Sequence, residues 1–416
     1  PRFSLHDGPP FSNGELHMGH ALNKSIKDFV VRSYAMRGYY TPYIPGWDNH
    51  GMPIESAIIK KNKLNYKEMS IPEFRSACEA FAQHYIDVQM KGFRRMGVIG
   101  DWEHPYKTMA PGFEAEEVRI FGEMFKKGYI YKGKKPVYWC YTDETALAEA
   151  EIEYQNDPCT TIFVKFPIKD DQGKLAQYCD LSRLFFVIWT TTPWTLPGNR
   201  AICLNARLEY SLIQVPCGET YIVASELAES VCKAVGIDRY TELCRLPGSV
   251  FELMTAKHPL LDQVDSVILN GDHVTLDAGS GCVHTAPAYG ADDFMVCQRY
   301  PQLPAPREMP VNVDDRGVFN AYAGKYEGLH VFRAQEPILA DLRACGALLH
   351  AEDITHSYPH CWRCKNPIIF RATDQWFCSV EAFKDEAVAA ARRVKWNPEW
   401  GGDRMGAMIR ERADWC

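Results

Sequence analysis

Two histidines set three residues apart, His17 and His20 in "HMGHALNKSIKDF", stand at the predicted start of an amphipathic helix. At i and i+3 they share one face of a first turn. A helix N-terminus offers unpaired N–H groups and a positive partial charge, so both rings can add hydrogen bonds to an anion held there, phosphate above all. Gly19, between them, leaves room for a base or ribose to come close to the backbone. A zinc protease would need histidines at i and i+4 with a glutamate beside the first, and that arrangement is absent. A bare pair at this spacing is also common on plain surfaces. What favours phosphate is the preceding "DGPPFSNG", at a strand-to-helix turn. Elsewhere Cys361 and Cys364 in "CWRCKNP" form a C-x-x-C pair at zinc-knuckle spacing.

The elements that must position the histidines read as strand "RFSL", a Gly/Pro turn, and a helix from about His17 to Met36 whose buried face carries Leu22, Ile26, Phe29 and Val30. Next comes "YYTPYIPGWDNHGMPIE", a strand ending in a Gly/Pro loop, and a helical pattern including "IPEFRSACEAFAQHYIDVQMKGFRRMG". Strand, loop and helix in alternation predict a parallel α/β sheet, whose ligand crevice lies outside the carboxyl ends of its strands. From about Glu151 the texture changes to short β-branched and aromatic runs: "TTIFVKFPI", "RLFFVIWTTTPWTL", "YSLIQV", "ETYIVA", "DSVILN" and "DHVTLD". After about Leu348 comes "HSYPHCWRCKNPIIFRATDQWF", and "EAFKDEAVAAARRV" resumes a helical pattern. The expected organisation is an α/β domain over 1–150, an inserted β-rich domain over 151–350, and a return to the first domain over 351–416.

Composition narrows the function classes. With 46% hydrophobic and 24% charged residues, the chain of 416 residues can bury a large core and is not mainly disordered. A net charge of -7 argues against coating nucleic acid by bulk electrostatics, so any RNA contact needs a local basic surface. The 15 cysteines lack the rhythm of a secreted disulfide module, which points to a reducing cytoplasm. No signal peptide or membrane-length apolar run is visible; "LFFVIW" has strand length. Pro1 leads at once into "RFSLHDGPP" and the chain stops at "RADWC", so a fragment is expected.

The histidine stretch resembles the H-I-G-H signature of class I aminoacyl-tRNA synthetases, with Met18 in the variable second position. "GPPFSNGELHMGH" and "PGWDNHGMPIE" are similar to the isoleucyl branch of that family, ahead of the leucyl and valyl branches, and the resemblance covers essentially the whole chain. It implies a Rossmann-like nucleotide-binding domain interrupted by an editing domain. It implies ATP with Mg2+ as substrate, with His17, Gly19 and His20 binding ATP and stabilising phosphate charge as the amino acid carboxylate attacks. Gly8, Pro9 and Asp48 would form the amino acid pocket, Asp48 holding the ammonium and His50 standing in the same loop; Asp48 also fits a plain turn cap. The implied partners are isoleucine, ATP and the isoleucine tRNA, for a cytoplasmic protein without a membrane that acts as a monomer. The lysine-rich K-M-S-K-S loop of the family does not occur in this sequence, so efficient activation by these residues alone is not expected.

Two stretches of the β-rich region resemble the editing site of isoleucyl, valyl and leucyl synthetases: "WTTTPWTLPGN", with Thr190, Thr191, Thr192 and Asn199, and "GSGCVHTAPAYGADDF", with His284 and Asp293. The resemblance implies that Asp293 captures the ammonium of a misattached amino acid, that His284 helps exclude isoleucine, and that water cleaves the ester. Thr-rich strands are often only strands and an Asp pair after glycine is often a helix cap. Some relatives bind zinc with two C-x-x-C pairs; here Cys140 and Asp143 in "VYWCYTDE" match the first, Cys361 and Cys364 the second. Either a Cys3Asp zinc site or a decayed site with free thiols fits. Beside the ligase reading stand a deacylase whose histidine domain is a scaffold, and a plain nucleic-acid-binding module.

Overall fold

Helix α1 (Met18–Met36) starts at His17 because that residue, in extended conformation, caps the first turn with its own ring. The computed structural model describes residues 1–304 and 308–416, and within it 1–128 and 129–416 are separate compact units. In the first unit α1 turns inward a different face from the predicted one. Leu22, Ile26 and Phe29 are exposed, while Lys24, Asp28 and Val31 are buried. The charges go inside because each has partners: Lys24 pairs with Asp7, and Asp28 accepts from Arg32 at 2.6 Å and from the Ile99 amide at 2.9 Å.

Strand β1 (Gly46–Trp47), α2 (Met52–Asn62), α3 (Ile71–Arg95), β2 (Tyr106–Lys107) and α4 (Pro111–Lys126) complete this unit. Ser70 and Glu73 form a reciprocal capping box that fixes where α3 starts. Its buried residues Ala82, Tyr85, Ile86, Gln89 and Phe93 recur at helical spacing. β1 and β2 run parallel, and the bridges Arg2–Tyr40 and Phe11–Asp48 are parallel too, so the parallel arrangement is present in very short strands.

The second unit is built on sheets. Its strands are β3 (Ile130–Cys140), β4 (Thr145–Leu147), β5 (Ile152–Asp170), β6 (Leu184–Thr190), β7 (Ala201–Leu204), β8 (Glu209–Gln214) and β9 (Thr220–Ala224). Helix α5 (Ala228–Ala234) precedes β10 (Thr241–Pro247), β11 (Thr255–Lys257), β12 (Asp265–Asn270) and β13 (Val283–Thr285). Then come α6 (Ala291–Gln298), α7 (Gln335–Ala344), β14 (Leu348–Cys361), β15 (Ile369–Cys378), α8 (Lys384–Arg392) and α9 (Gly401–Glu411). β15, β3 and β4 make a small antiparallel sheet.

The large sheet runs β10-β8-β9-β6-β13-β7-β12-β11-β5-β14, and an additional β5–β6 pairing closes the six strands from β6 to β5 into a ring. Closure leaves those strands without a free edge. Side chains alternate as a two-residue repeat requires: Ile162, Val164 and Phe166 of β5 and Leu184, Phe186 and Ile188 of β6 enter the main core. Phe163 and Val187 point the other way, into a second cluster with Val231 and Cys232 of α5. Burial on both faces explains why "LFFVIW" is continuously apolar. "DHVTLD", predicted as a strand, is a loop; Val274 packs beside Val296 and Cys297 of α6, and its carbonyl accepts from Asn205. "PWTL" is likewise not strand but part of a 3-10 turn spanning Pro193–Gly198, whose two prolines cannot donate to a ladder.

Gly281 holds the loop before β13 against β9. Its φ is +76°, and a Cβ there would lie 2.3 Å from the Ala224 Cβ. Gly281→Ala is expected to lower stability by roughly 2–4 kcal/mol from backbone strain plus overpacking. Gly122→Ala, in α4 with open space around it, should gain about 0.5–1 kcal/mol. Thermal and urea unfolding of the two variants beside the parent chain checks both signs.

Candidate functional site

In the first unit the two histidines are organised by the helix they start. The Gly19 amide donates to His17 Nδ1 at 3.1 Å, and the His17 amide donates to His20 Nδ1 at 3.3 Å. Each Nδ1 is therefore an acceptor, so each neutral ring carries its proton on Nε2. The rings stack, centroids 3.8 Å apart and 23° from parallel, and His17 is exposed. Burial lowers the pKa of His20, with His17 and Lys24 adding to the effect. The result is a pair of Nε2–H donors at a helix N-terminus. A Cβ on Gly19 would come within 3.0 Å of the His17 ring, so glycine keeps the cap open.

The surrounding loops are held by residues without a motif of their own. Gln89 of α3 accepts from the Trp47 indole at 2.9 Å and donates to the Phe11 and Gly14 carbonyls at 3.1 and 2.8 Å. Asn49 donates to Ser12 at 2.9 Å, and the Asp48 amide donates to the Pro10 carbonyl at 3.0 Å. These bonds lash "PPFSNG" to "WDNH". Asp48 is half-buried, Gly8 exposed and Pro9 half-buried, while exposed His50 lies 3.2 Å from Glu114. Asp7, beside Gly8, is buried and takes ion pairs from both Lys24 and Lys27. Burial would raise its pKa, but those hydrogen bonds prevail and lower it. His17, His20, Lys24 and Lys27 lie at i, i+3, i+7 and i+10, a basic face that could have been read from spacing alone.

In the second unit a cavity of about 360 Å³ opens where β6, the turn after it, the loop 273–278, β13 and α6 meet. Thr190, Thr191, Thr192, His284 and Asp293 all line it. Asn199 does not; it is fully buried behind the wall. Its amide donates to the Ala201 carbonyl at 2.9 Å and to His284 Nδ1 at 2.7 Å, while its oxygen accepts from Ser266. His284 Nε2 then donates to Thr195 Oγ1 at 2.9 Å, and that hydroxyl donates to the Thr192 carbonyl at 2.8 Å. Both ring nitrogens are occupied. Burial, with His258 as the second influence, pushes the His284 pKa down to about 3, so the ring is neutral. Thr195 and Tyr289, inside the two quoted stretches but not singled out there, also line the cavity, as does His273, which lies outside both.

Asp293 is not a helix cap. Its Oδ2 accepts from the Ala286 amide at 2.7 Å, in the loop before α6, and the cap position is Gly290. Among the described residues it has no ion-pair partner. Burial raises its pKa to about 6, with Asp292 adding to the rise and the Ala286 bond opposing it. The Thr191 hydroxyl makes no hydrogen bond among the described residues, whereas Thr190 and Thr192 bond to one another at 3.3 Å.

At the junction of β3–β4 and β14–β15, Cys140, Asp143, Cys361 and Cys364 bring their ligand atoms within 4.8 Å of one another. Cys140 and Cys364 sulfurs are 3.5 Å apart, as are Cys361 Sγ and Asp143 Oδ2. Each C-x-x-C or C-x-x-D turn ends in a left-handed residue, Glu144 with φ 52° and Lys365 with φ 62°. The Asp143 amide donates to Cys140 Sγ at 3.3 Å, and the amides of Arg363 and Cys364 donate to Cys361. Two matching knuckles with amide-supported sulfurs suit a tetrahedral ion: at Zn–S of about 2.3 Å and Zn–O of about 2.0–2.2 Å, ligand atoms stand roughly 3.5 Å apart.

The family model of tRNA synthetases class I (I, L, M and V) matches residues 1–416. The chain belongs to the class I tRNA synthetases. This class I synthetase chain is similar, over all of its length, to the isoleucine–tRNA ligases of Caldicellulosiruptor bescii at 55% identity, Caldanaerobacter subterraneus subsp. tengcongensis at 51% and Bacillus licheniformis at 50%. It spans 44% of the length of each of these relatives. A solved structure, "The crystal structure of GlLeuRS-CP1", is similar over 45% of this chain and 97% of its own, at 14% identity and a TM-score of 0.39, too loose a likeness to argue from. Among the described residues no helix of the synthetase chain is long and apolar enough to cross a membrane.

A carboxylate whose pKa is raised by folding stabilises the protein below its unfolded value and costs stability as pH rises through the folded value. Asp293→Asn should therefore make the chain more stable at pH 7, by at most about 3 kcal/mol for a rise of roughly two units. The advantage should shrink between pH 6 and 4 and vanish below that. Urea unfolding across this range reads it; a variant less stable at pH 7 would mean that the carboxylate has a cation partner.

Proposed function

We propose that the whole protein is an isoleucine–tRNA ligase, activating isoleucine with ATP and Mg2+ and passing it to its tRNA, and that the ring-bearing unit hydrolyses valine misattached to that tRNA. The ligase half is supported by 50–55% identity to relatives of that name over every residue of this chain. In this reading 1–150 and 351–416 belong to the nucleotide-binding fold and 151–350 are an insertion. The protein acts as a monomer in the cytoplasm.

Activation needs no enzyme nucleophile. A carboxylate oxygen of isoleucine attacks the α-phosphorus, the bond to pyrophosphate breaks, and pyrophosphate leaves with the electrons. Electrostatics and positioning carry such a step. His17 and His20 contribute Nε2–H donors to the phosphates and Gly19 the close approach. Asp48 meets the substrate ammonium, with Gly8, Pro9 and His50 around it.

One observation carries the editing half: Asp293 is a half-buried carboxylate lining a cavity, with no cation of its own among the described residues. Such a group is costly unless a cation arrives, and the ammonium of an aminoacyl ester is one. Water adds to the ester carbonyl, the bond to the ribose oxygen breaks, and the tRNA hydroxyl leaves. Thr191 has a hydroxyl free for the substrate. His284, with both nitrogens engaged, forms wall and not base, so proton transfer falls to the substrate's own ribose hydroxyl. Selection against valine needs this second step because one methylene is worth only about 1–3 kcal/mol in a pocket, a limit for which isoleucine against valine in this same family is the standard illustration. Cys140, Asp143, Cys361 and Cys364 hold Zn2+ in a structural role, tying together two chain turns.

Deacylation of valyl- and isoleucyl-tRNA, both on the isoleucine tRNA, tests the editing half. The 416-residue chain should cleave the valyl ester selectively, and Asp293→Ala should lose roughly 100-fold or more. Equal cleavage of both esters, or an unaffected variant, overturns it. For the ligase half, His17→Ala and His20→Ala in the full-length protein should each cut isoleucine-dependent pyrophosphate exchange by about 10²–10³; unchanged exchange removes the histidines from the phosphate site.

A further inference from the structure

Arg363 occupies one of the two middle positions of the Cys361–Cys364 turn, yet its side chain does not leave for solvent. It is 11% exposed, with Nε 3.4 Å from Asp143 Oδ2 and Nη1 3.4 Å from Glu151 Oε1. Glu151 is itself fixed, its Oε2 accepting from the Ala148 amide at 2.9 Å and its carbonyl from the Trp362 amide at 3.0 Å. Nη2 is buried without a hydrogen-bond partner among the described residues. The guanidinium of one knuckle therefore reaches the single carboxylate of the other.

Charge explains the need for it. Three thiolates and a carboxylate bring four negative charges into a largely buried site, and a divalent cation cancels two of them. A guanidinium removes a third without touching the ion. Geometry adds a second reason, because a carboxylate, unlike a thiolate, has two oxygens and a free rotor. A donor held against it limits which way the remaining lone pairs face.

We propose that Arg363 is the positioning residue of this metal site: held by Glu151, it orients and neutralises Asp143 so that a carboxylate can serve where a fourth thiolate otherwise would. The proposal rests on the zinc reading above. It makes the arginine and the aspartate one unit, so that replacing the aspartate with cysteine should release the site from its dependence on the arginine.

Zinc content by elemental analysis and competition against a chromophoric chelator test this on the whole 416-residue chain. The parent should hold one zinc. Arg363→Met should weaken zinc binding about 10–100-fold, and Arg363→Lys should recover part of the loss. In an Asp143→Cys background, Arg363→Met should cost less than about threefold, and Co2+ in Asp143→Cys should gain thiolate-to-metal absorption over the parent. Melting curves of each variant separate loss of fold from loss of metal. Full affinity in Arg363→Met, or the same loss in the Asp143→Cys background, overturns the role of Arg363 while leaving the zinc site standing. A parent chain that takes up no zinc overturns both.

Discussion

Strand β5 is the constraint on which the second unit depends. Its 19 residues enter three pairings: with β14 along almost their whole shared length, with β11, and with β6 at the closure of the ring. At one end Ile152 sits opposite Cys361, within the knuckle pair, and further along Ile162 sits opposite Thr190, at the mouth of the cavity. A two-stranded ribbon alone is marginal in water. This one is anchored at both ends, by the closed ring and by the Cys/Asp cluster. The register that sets Thr190 opposite Ile162 is thus tied to the turn that brings the Cys364 sulfur 3.5 Å from that of Cys140.

Charge is handled in opposite ways at the two candidate sites. Asp7 is buried and answered twice, by Lys24 and Lys27, and its pKa falls. Asp293 is half-buried and, among the described residues, answered only by one amide, and its pKa rises. The first arrangement stabilises the fold, since its charges are complete without a ligand. The second costs stability in the empty cavity, and the cost is recovered when a cation enters. An unanswered carboxylate in a cavity wall is therefore informative about a ligand in a way that a satisfied ion pair is not.

Much of the local structure was legible in the sequence. The strands at 160–168, 184–190, 210–214, 220–224 and 265–270 follow from short β-branched and aromatic runs, and the start of α1 near His17 from helical spacing after a Gly/Pro turn. What was not legible depends on partners distant in the chain. Leu22, Ile26 and Phe29 looked like the buried face because a stripe of apolar residues recurs at helical spacing, yet Lys24 and Asp28 go inside once Asp7, Arg32 and the Ile99 amide answer them. "DHVTLD" alternates like a strand but enters no ladder: Val274 is drawn into the cluster with α6 and Leu276 packs against the main core. Gln89 has ordinary neighbours in sequence, and Thr195 and Arg363 are unmarked positions inside quoted stretches; all three acquire a role only through contacts 75 to 220 residues away.

The histidines show why residue type and spacing do not by themselves assign chemistry. His17, His20 and His284 all lie in stretches that resemble functional motifs, and each ring has two nitrogens and a proton to place. The cap of α1 consumes Nδ1 of His17 and His20 and leaves each an outward Nε2–H, so these rings can donate to an anion. Asn199 and Thr195 consume both nitrogens of His284, so that ring can neither donate to a ligand nor accept a proton from water without breaking a buried bond. Counting the hydrogen bonds each ring already makes separates a hand from a wall, and the count is set by residues 85 and 89 positions away from His284 in the chain.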